Sequence, residues 1–498
     1  MHKYGIKNIR IILAIALIAS TAAVCFFARG AGIGTAARIR NEFPYEKTDQ
    51  YARDFSSHLP LLVLQTDFSE LSDRDTPPLS AMWLFDGEGV NRLSDIPTET
   101  FHSATARYRG NSSLSFPKKP YRINLYNHEN FYKPLDYSFF GLGSASEWAL
   151  RPPYADKSLL RDWFSYEIAA TVLDWQPRGK PVELFLQDGE GGMVSYQGVY
   201  FFSELITAGN ERLDLGRFRL NDSEGVDSGG GGYIYQLDRP KDYSDYFTLM
   251  SGVNYRLMHP GRNSMTARQE ANFIKEISFY HGLLTKTGIY EDIPEDNWDY
   301  WDYIDVDSFI DYFLVAELIK NVDAGDVSTF MYRPAGGKLV MGPLWDCDLS
   351  MGNHDFSEPE YHSFLIIDRK LTARLIENKS FSAGYVEKWR QYRSSIWSDE
   401  EIFGLFDSMV EYLAEPAARN ALRWPEKYDG KTYIWPNPEP YVTSWEEEIE
   451  RTRSWLVSRL EWLDEHIPML LYETAKDINA RYRSLYADEE EGVQEYTS

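Results

Sequence analysis

The sequence predicts an α+β protein with two lobes, a β-rich lobe at residues 59–239 and a mainly helical lobe at residues 240–467. In the first lobe, short apolar runs are separated by Gly, Pro, Asp and Asn, as in strands joined by turns. From about Arg268 the apolar residues recur at helical spacing. Of the 498 residues, 43% are hydrophobic and 15% are aromatic, so we expect a packed core rather than a disordered chain.

The N-terminal segment predicts export. Lys3, Lys7 and Arg10 precede an apolar stretch from Ile11 to Ala28, which is about the shortest length that spans a bilayer. We expect residues 1–29 to be a retained membrane anchor with the body outside the cell, or alternatively a cleaved signal peptide. Residues 30–58 mix small and charged residues and are interpreted as a spacer.

Charge and cysteine content exclude two classes of protein. The chain has 76 Asp and Glu against 51 Lys and Arg, a net charge of −25, which repels nucleic-acid phosphates. We therefore expect no nucleic-acid partner, and contact with the membrane through the N-terminal segment only. Cys25 and Cys347 are the only cysteines, and Cys25 lies in the apolar stretch, so a disulfide framework is excluded.

Strand and helix patterns define the two lobes further. Predicted strands are Leu59–Leu64, Met82–Phe85, Tyr121–Leu125, Val182–Leu186 and Tyr233–Asp238. One predicted helix is entered near Asp307 and carries Phe309, Phe313, Ala316 and Ile319 on one face. A long last helix begins at Ser444, where Glu447 would complete a capping box, and ends near Pro468. Residues 468–498 are interpreted as an acidic tail with a solvated run at 488–491.

Two groups of aspartates flank a predicted hairpin. Asp323 follows the Asp307 helix, the chain then turns around Gly336–Gly337, and Trp345-Asp346-Cys347-Asp348 comes next. We expect the hairpin to return Asp346 and Asp348 beside Asp323, where their oxygens suit a hard divalent cation. Alternatively, aspartates near glycines cap turns and helices.

The order of these residues is that of protein-kinase-type phosphotransferases. Such enzymes use a loop aspartate to orient the attacking hydroxyl, a second metal ligand five residues later and a downstream metal aspartate. Asp323 and Ser328 have this offset, and Asp346 would be the downstream aspartate, with Asp348 or Ser328 completing the metal shell. Walker A, HExxH, GxSxG and paired CxxC patterns are absent.

An upstream turn could bind phosphate. Arg109-Gly110-Asn111-Ser112-Ser113 can present backbone N–H groups and hydroxyls to phosphate oxygens, and a lysine at a strand start can reach the same phosphates. Strand alternation predicts that Lys119 points inward with Tyr121 and that Lys118 points outward. The alternative is that both lysines are solvated charges on an edge strand.

Two further features have simpler interpretations. His354 and His362 match no helical ligand pair, so we expect a surface loop rather than a zinc site. The many Trp and Tyr residues could line a carbohydrate cleft, but aromatic residues at helical or strand spacing are more often core.

Taken together, these blocks resemble the CotH kinase family over roughly Leu59 to Ile467. The carriers are RGNSS with FPKKPYRINL, Asp156–Arg161, Tyr196–Glu204, Gly231–Asp238, Glu317–Asp323, Gly342–Asp348 and the closing helix Trp445–Ile467. The resemblance implies a diverged protein-kinase-like fold, binding of ATP with Mg²⁺ or Mn²⁺, and transfer of phosphate to Ser or Thr of exported proteins.

The resemblance also implies roles for single residues. It makes Asp323 the catalytic aspartate, Asp346 the metal-binding aspartate and Glu204 a lysine partner or metal-shell residue. The predicted nucleotide-binding set is Arg109, Asn111, Ser112, Lys118, Lys119 and Glu204, and the predicted metal set is Asp346, Asp348 and Ser328. Gln236 and Ser328 depart from the family pattern, since relatives often have an acid and an Asn there, which implies reduced activity or a changed metal preference.

Two other functions remain open from the sequence. A catalytically silent family member could serve as a scaffold in cell-surface or spore-coat assembly. A carbohydrate-active hydrolase would release sugar without any need for nucleotide.

Overall fold

The computed structural model describes residues 48–73, 75–131, 133–216, 231–239, 246–261, 265–294, 297–354, 361–435 and 441–481. The predicted anchor or signal segment at residues 1–29 and the acidic run at 488–491 lie outside these residues. Within the described ranges, we find no helix with the length and apolar character needed to cross a bilayer.

Strands predominate in the first half of the described chain, and helices predominate in the second half. The strands are β1 (Ser56–Ser57), β2 (Leu61–Thr66), β3 (Leu79–Phe85), β4 (Asn91–Arg92), β5 (Glu99–Tyr108), β6 (Tyr121–Leu125), β7 (Glu147–Arg151), β8 (Gly179–Asp188), β9 (Val194–Glu204), β10 (Tyr233–Leu237), β11 (Tyr246–Thr248), β12 (Asn254–His259), β13 (Thr329–Arg333) and β14 (Val340–Met341). The helices are α1 (Arg161–Ala170), α2 (Ala267–Thr285), α3 (Val306–Leu318), α4 (Ala373–Glu377), α5 (Lys379–Arg393), α6 (Asp399–Arg423) and α7 (Trp445–His466). The α+β prediction is therefore confirmed.

The strands form a barrel and two open sheets. Strands β2, β3, β5, β6, β7, β9 and β8, in this order, make a closed barrel, which the sequence did not predict. A five-stranded antiparallel sheet has the order β11-β12-β10-β13-β14, and β1 pairs with β4. The predicted boundary at residue 239 falls between β10 and β11 of one sheet, so the two-lobed arrangement stays a prediction.

The described chain divides into two compact units. The first comprises the chain up to residue 107 together with residues 124–135 and 185–196. Its core packs Phe55, Trp83, Phe185 and Tyr196, and the ring centroids of Phe55 and Phe185 lie 4.9 Å apart, edge to face. Such aromatic pairs bury large areas, so this core stabilises the first unit mainly through the hydrophobic effect.

The second unit comprises residues 108–123, 136–184 and 197 onward, and helix α3 runs through its interior. Every side chain from Phe309 to Leu318 is buried. A helix buried on all sides carries no polar face, which accounts for the high apolar content of this segment. The side chain of Asp305 caps α3 by accepting a hydrogen bond from the backbone N–H of Ser308 at 3.1 Å. The helix therefore begins slightly before the predicted entry near Asp307.

Three buried ion pairs, formed by two arginines, hold the helices of the second unit in place. Nη1 of Arg161, in α1, lies 2.6 Å from Asp156 Oδ1 and 2.8 Å from Oε1 of Glu448, in α7. Nη2 of Arg459, also in α7, lies 2.6 Å from Oε1 of Glu317, in α3. Because all these side chains are fully buried or nearly so, removing one partner leaves an uncompensated charge in the core.

The last predicted helix is confirmed with one change at its start. The Ser444 side chain accepts a hydrogen bond from the backbone N–H of Glu447 at 3.1 Å, as a cap should. The Glu447 carboxylate accepts from the N–H of Thr443 at 2.8 Å, so the capping box is displaced by one residue. Helix α7 ends at His466, and Pro468 lies in the 3₁₀ turn that follows.

Candidate functional site

The loop that carries Asp323 begins where helix α3 ends. Lys320 adopts a left-handed backbone conformation with φ of 50°, which turns the chain away from the helix axis. The side-chain oxygen of Asn321 then accepts a hydrogen bond from the N–H of Asp323 at 3.0 Å. The Asp323 carbonyl accepts from the N–H of Val327 at 2.9 Å, so Asp323 is held at the start of a turn.

The hairpin of β13 and β14 returns the chain to Asp346 and Asp348, with Met331 paired to Met341. Burial first and the negative charge of Asp346 second raise the pKa of Asp323 to about 7. Burial also raises the pKa of Asp348 well above its usual range, again with a contribution from Asp346. The three aspartates that the sequence singled out therefore lie within electrostatic range of one another.

Arg151 and Asp162 hold the segment that carries Asp346. Arg151 Nη2 lies 2.8 Å from Asp346 Oδ1 and 3.0 Å from Asp162 Oδ2, and its guanidinium packs over the Trp345 ring at 4.5 Å. Asp162 Oδ1 accepts a hydrogen bond from the N–H of Cys347 at 2.9 Å. Arg151 and Asp162 together thus contact residues 345, 346 and 347. These contacts stabilise the left-handed backbone of Asp346, which has a φ of 60°.

Sequence reasoning missed Arg151 and Asp162 because they lie far from Asp346 along the chain. Asp162 comes directly after the block Asp156–Arg161. An acidic residue next to that block was the sequence signal that could have identified it. Asp238 was missed as well, although it closes the β10 block. Burial raises its pKa, and the charge of Asp346 contributes.

Arg109 supplies a second guanidinium beside Trp345. Its Cζ lies 5.3 Å from the ring centroid of Trp345. Burial first and the positive charge of Arg151 second lower the pKa of Arg109 to about 10. Among the described residues, no carboxylate lies within ion-pair distance of Arg109. Its planar N–H groups are therefore suited to binding a phosphate, and its nucleotide role stays a prediction.

The turn after Arg109 is exposed. Gly110 has a φ of 84°, and a 3₁₀ turn spans Ser112–Ser115 with Asn111 before it. The side chains of Asn111 and Ser112 are both exposed to solvent. They are accessible to a ligand, although nothing in their contacts tests the predicted phosphate binding.

The two lysines have the opposite orientation to the one predicted. Lys118 is 1% exposed, and its Nζ donates to the Val199 carbonyl at 2.5 Å and to Asn420 Oδ1 at 2.9 Å. Lys119 is partly exposed and donates to the Leu114 carbonyl at 2.6 Å. Strand β6 begins only at Tyr121, directly after Pro120, so the alternation of strand side chains does not extend back to either lysine.

Glu204 is fully buried at the end of β9. Its Oε1 accepts from the N–H of Gly143 at 2.7 Å and from the guanidinium of Arg212, and its Oε2 accepts from the N–H of Arg178 at 2.9 Å. The prediction made Glu204 a lysine partner or metal-shell residue. Its cationic partners among the described residues are two arginines, Arg212 and Arg178.

One of the two departures from the family pattern contacts a carboxylate. Ser328 is partly exposed and precedes β13 with a left-handed φ of 47°. Gln236 Nε2 donates to Asp238 Oδ2 at 3.0 Å. Asp238 therefore supplies a carboxylate next to the position where relatives often have an acid.

The prediction that His354 and His362 lie in a surface loop is wrong, because both are buried. Burial lowers the pKa of His354 to about 4, and the His362 carbonyl accepts a hydrogen bond from Lys320 Nζ at 2.8 Å. The residues between them that were considered with them, Asp355 and Glu358, lie outside the described residues. Cys347 is a buried thiol whose pKa burial raises well above its usual range, so it is unreactive.

Asp346 and Asp348 fit a divalent cation by the chemistry of their oxygens. In the described ranges, no three His, Cys, Asp or Glu side chains converge closely enough to hold a metal ion by themselves. Mg²⁺ in nucleotide sites needs only one or two carboxylates, because phosphates and water supply its other ligands. Since burial and mutual repulsion disfavour the charged form of Asp348, a bound cation would relieve both.

Comparison with known proteins identifies a family over most of the chain. A family model described as CotH kinase protein matches residues 106–463. A search of curated proteins finds no match. The matched range begins within β5, ends within α7 and contains all the residues considered above.

Proposed function

Because this chain belongs to the CotH kinase family, we propose that it is an exported, metal-dependent protein kinase that transfers phosphate from ATP to Ser or Thr. The acceptors would be surface, coat or secreted proteins. The observation that supports the proposal best is the placement of Asp323 and Asp346 in one group of carboxylates beside Arg109 and Arg151. A kinase needs these groups together, because its substrates carry both a hydroxyl to deprotonate and phosphates to neutralise.

In this proposal Asp323 accepts the proton of the acceptor hydroxyl while the hydroxyl oxygen bonds to the γ-phosphorus of ATP. The bond between that phosphorus and the bridging oxygen breaks, and ADP leaves. A base is most effective when its pKa lies near the working pH, and the pKa of Asp323 is raised to about 7. Arg109 would bind phosphate oxygens through N–H groups that have no carboxylate partner among the described residues. Asn111 and Ser112 are exposed and would add hydrogen bonds to the same phosphates.

The metal would be held by Asp346 and Asp348, with Ser328 as a further oxygen ligand. A bound Mg²⁺ or Mn²⁺ would neutralise charge on the transferred phosphate. Arg151 would keep the Asp346 carboxylate in place, because it contacts both this side chain and the neighbouring Trp345 ring. The bonds of Lys118 support a structural role for it, and Lys119 would have to release the Leu114 carbonyl to reach a phosphate.

The test is transfer of labelled phosphate from ATP to a panel of co-exported proteins. Asp346→Ala should abolish incorporation. Asp407→Ala is a matched control, since Asp407 is an exposed aspartate that forms a surface ion pair with Arg453. Absence of transfer, of autophosphorylation and of Mg²⁺-dependent ATP binding by the unmodified protein would contradict the proposal.

A catalytically silent scaffold is the second candidate, and one contact favours it. The guanidinium of Arg151 already neutralises Asp346 Oδ1 at 2.8 Å, so an arginine could replace the metal permanently. In a scaffold, ATP would not bind with or without metal, while Arg151→Met would destabilise the fold. In a kinase, ATP binding would depend on metal.

Export is part of the proposal and has its own test. The segment at residues 1–29 would act as a membrane anchor, or would be cleaved as a signal peptide. Cell fractionation with an antibody against the body would place the protein in the membrane fraction or the medium. Recovery of the whole chain, with its N-terminus intact, in the cytosolic fraction would contradict export.

A further inference from the structure

A cavity of about 230 Å³ is lined by residues that follow α1, residues at the start of α3 and residues of the β13–β14 hairpin, all within the second unit. Four aspartates line it, namely Asp174, Asp305, Asp307 and Asp311, and none of its described wall residues is Lys, Arg or His. Sites for drug-sized ligands typically have volumes of about 300–1,000 Å³, so this cavity suits a smaller molecule or a single side chain. The proposed kinase reaction does not use it.

Tyr332 supplies a phenol hydroxyl to this cavity. The residue is 8% exposed, and its hydroxyl has no hydrogen-bond partner among the described residues. Burial first, and then the negative charges of Asp174 and Asp305, raise the pKa of this hydroxyl, so it stays uncharged and lies near both carboxylates. Because its oxygen is not sealed off from solvent, a ligand in the cavity can reach it.

Two of the four aspartates already have a cationic partner. Nζ of Lys388 lies 2.9 Å from Oδ1 of Asp307 and 2.9 Å from Oδ1 of Asp311. Asp174 and Asp305, by contrast, form no ion pair within the described part of the chain. Oδ1 of Asp305 accepts a backbone N–H as the cap of α3, and its Oδ2 is left as an acceptor. Two unpaired carboxylates and one hydroxyl therefore line the cavity without a cation.

We propose that this cavity binds a primary alkylammonium group, either of a free amine or of a lysine side chain. An ammonium group has three N–H donors, and the carboxylates of Asp174 and Asp305 and the hydroxyl of Tyr332 can accept them. Val340 and Met341 in the wall suit the methylene chain behind the charge. A metal ion fits less well, because no three carboxylates in the described ranges are close enough together to hold one.

The experiment measures binding of butan-1-amine, Nα-acetyl-lysine amide and butan-1-ol to the full-length protein by calorimetry at constant ionic strength. Asp174→Asn/Asp305→Asn removes both unpaired charges, and Asn is as good a helix cap as Asp, so α3 keeps its start. Tyr332→Phe removes a hydroxyl that bonds to no described residue. Asp302→Asn/Asp407→Asn is the matched control, because both aspartates are exposed and the net charge changes by the same amount.

We expect saturable binding of at least one of the two amines, at least a tenfold loss in Asp174→Asn/Asp305→Asn, about a threefold to tenfold loss in Tyr332→Phe, and no change in the control. Tighter binding of the lysine derivative would identify a polypeptide ligand, and tighter binding of butan-1-amine a free amine. Absence of saturable binding of both amines, equal binding by all variants, or equally tight binding of butan-1-ol would overturn the proposal. Because these variants leave Asp323 and Asp346 unchanged, phosphate transfer tests the kinase proposal separately.

Discussion

Arg151 donates a 2.8 Å hydrogen bond to the carboxylate of Asp346, across 195 residues of sequence. The arginine ends strand β7, and the aspartate follows the β13–β14 hairpin. The contact neutralises the carboxylate for which we propose metal binding. It also makes Arg151 a positioning residue for the metal site, because the same guanidinium packs on the Trp345 ring.

The first prediction concerns this positioning role. Arg151→Met should lower the affinity for metal-bound ATP by about 10–100-fold, because Asp346 loses the group that orients it. Arg151→Lys should restore part of the loss, since it returns a charge without the planar fork. Calorimetric ATP titration with Mn²⁺ measures both. Arg453→Met is the control, because Arg453 forms an exposed pair with Asp407; equal effects at both arginines would contradict the prediction.

The second prediction separates the roles of two aspartates. Asp323→Asn should reduce phosphate transfer by about 10²–10⁴-fold and leave ATP affinity nearly unchanged, because a base is needed only once the nucleotide is bound. Asp346→Asn should lower both ATP affinity and rate, since it removes a metal ligand. Steady-state kinetics and ATP titrations measure these effects. Small, equal effects of both substitutions would show that the aspartates only cap turns.

The third prediction is a titration of Asp323 in the metal-free protein. Its pKa is raised to about 7 by burial first and by the charge of Asp346 second. Asp346→Asn removes that charge, so the pKa of Asp323 should fall toward its usual value of 3.8. Carboxyl infrared spectra over pH 4–9, compared with the same spectra of Asp323→Asn, assign the signal. An unchanged titration in Asp346→Asn would place the two groups out of electrostatic range.

The fourth prediction distinguishes the two lysines. Lys118→Met should destabilise the fold by about 1–3 kcal/mol, because the Val199 carbonyl and Asn420 Oδ1 lose a buried donor. Lys119→Met should change the free energy of unfolding little. If Lys119 attracts ATP phosphates, its loss should weaken ATP binding more at low salt than at high salt, since partly exposed charges are screened. Denaturant unfolding and ATP titrations check both, and the reverse ranking in stability would refute the prediction.

The fifth prediction concerns pH and stability. Burial lowers the pKa of Lys427 from 10.5 to about 7. Between these values the unfolded chain binds more protons than the folded chain, so Lys427 makes stability rise with pH, by at most about 1.4 kcal/mol per pH unit. Denaturant unfolding at pH 7, 8 and 9 should show a shallower rise in Lys427→Met than in the unmodified protein. Parallel curves would mean that Lys427 stays charged in the fold.

The elements that the sequence predicted have local causes. Strands β2 and β6 follow Pro60 and Pro120, and helix α7 begins at the Ser444 cap. The residues next to each of these elements therefore determine where it begins. The loop position of Asp323 was equally predictable, because the helical pattern before it ends there. The hairpin predicted the return of Asp346 toward Asp323, but not its ion pair with Arg151.

Contacts between distant segments were decided by the tertiary structure only. The residues around the two lysines did not show that Lys118 rather than Lys119 is buried, because its burial depends on contacts with Val199 and Asn420. Local sequence also did not show that Glu204 pairs with Arg212, or that His354 is buried in the second unit. The sequence determined which chemical groups the site contains and in what order, because these are properties of single segments. Which group binds which was decided by folding, because packing density and buried charge depend on all the segments that meet in the core.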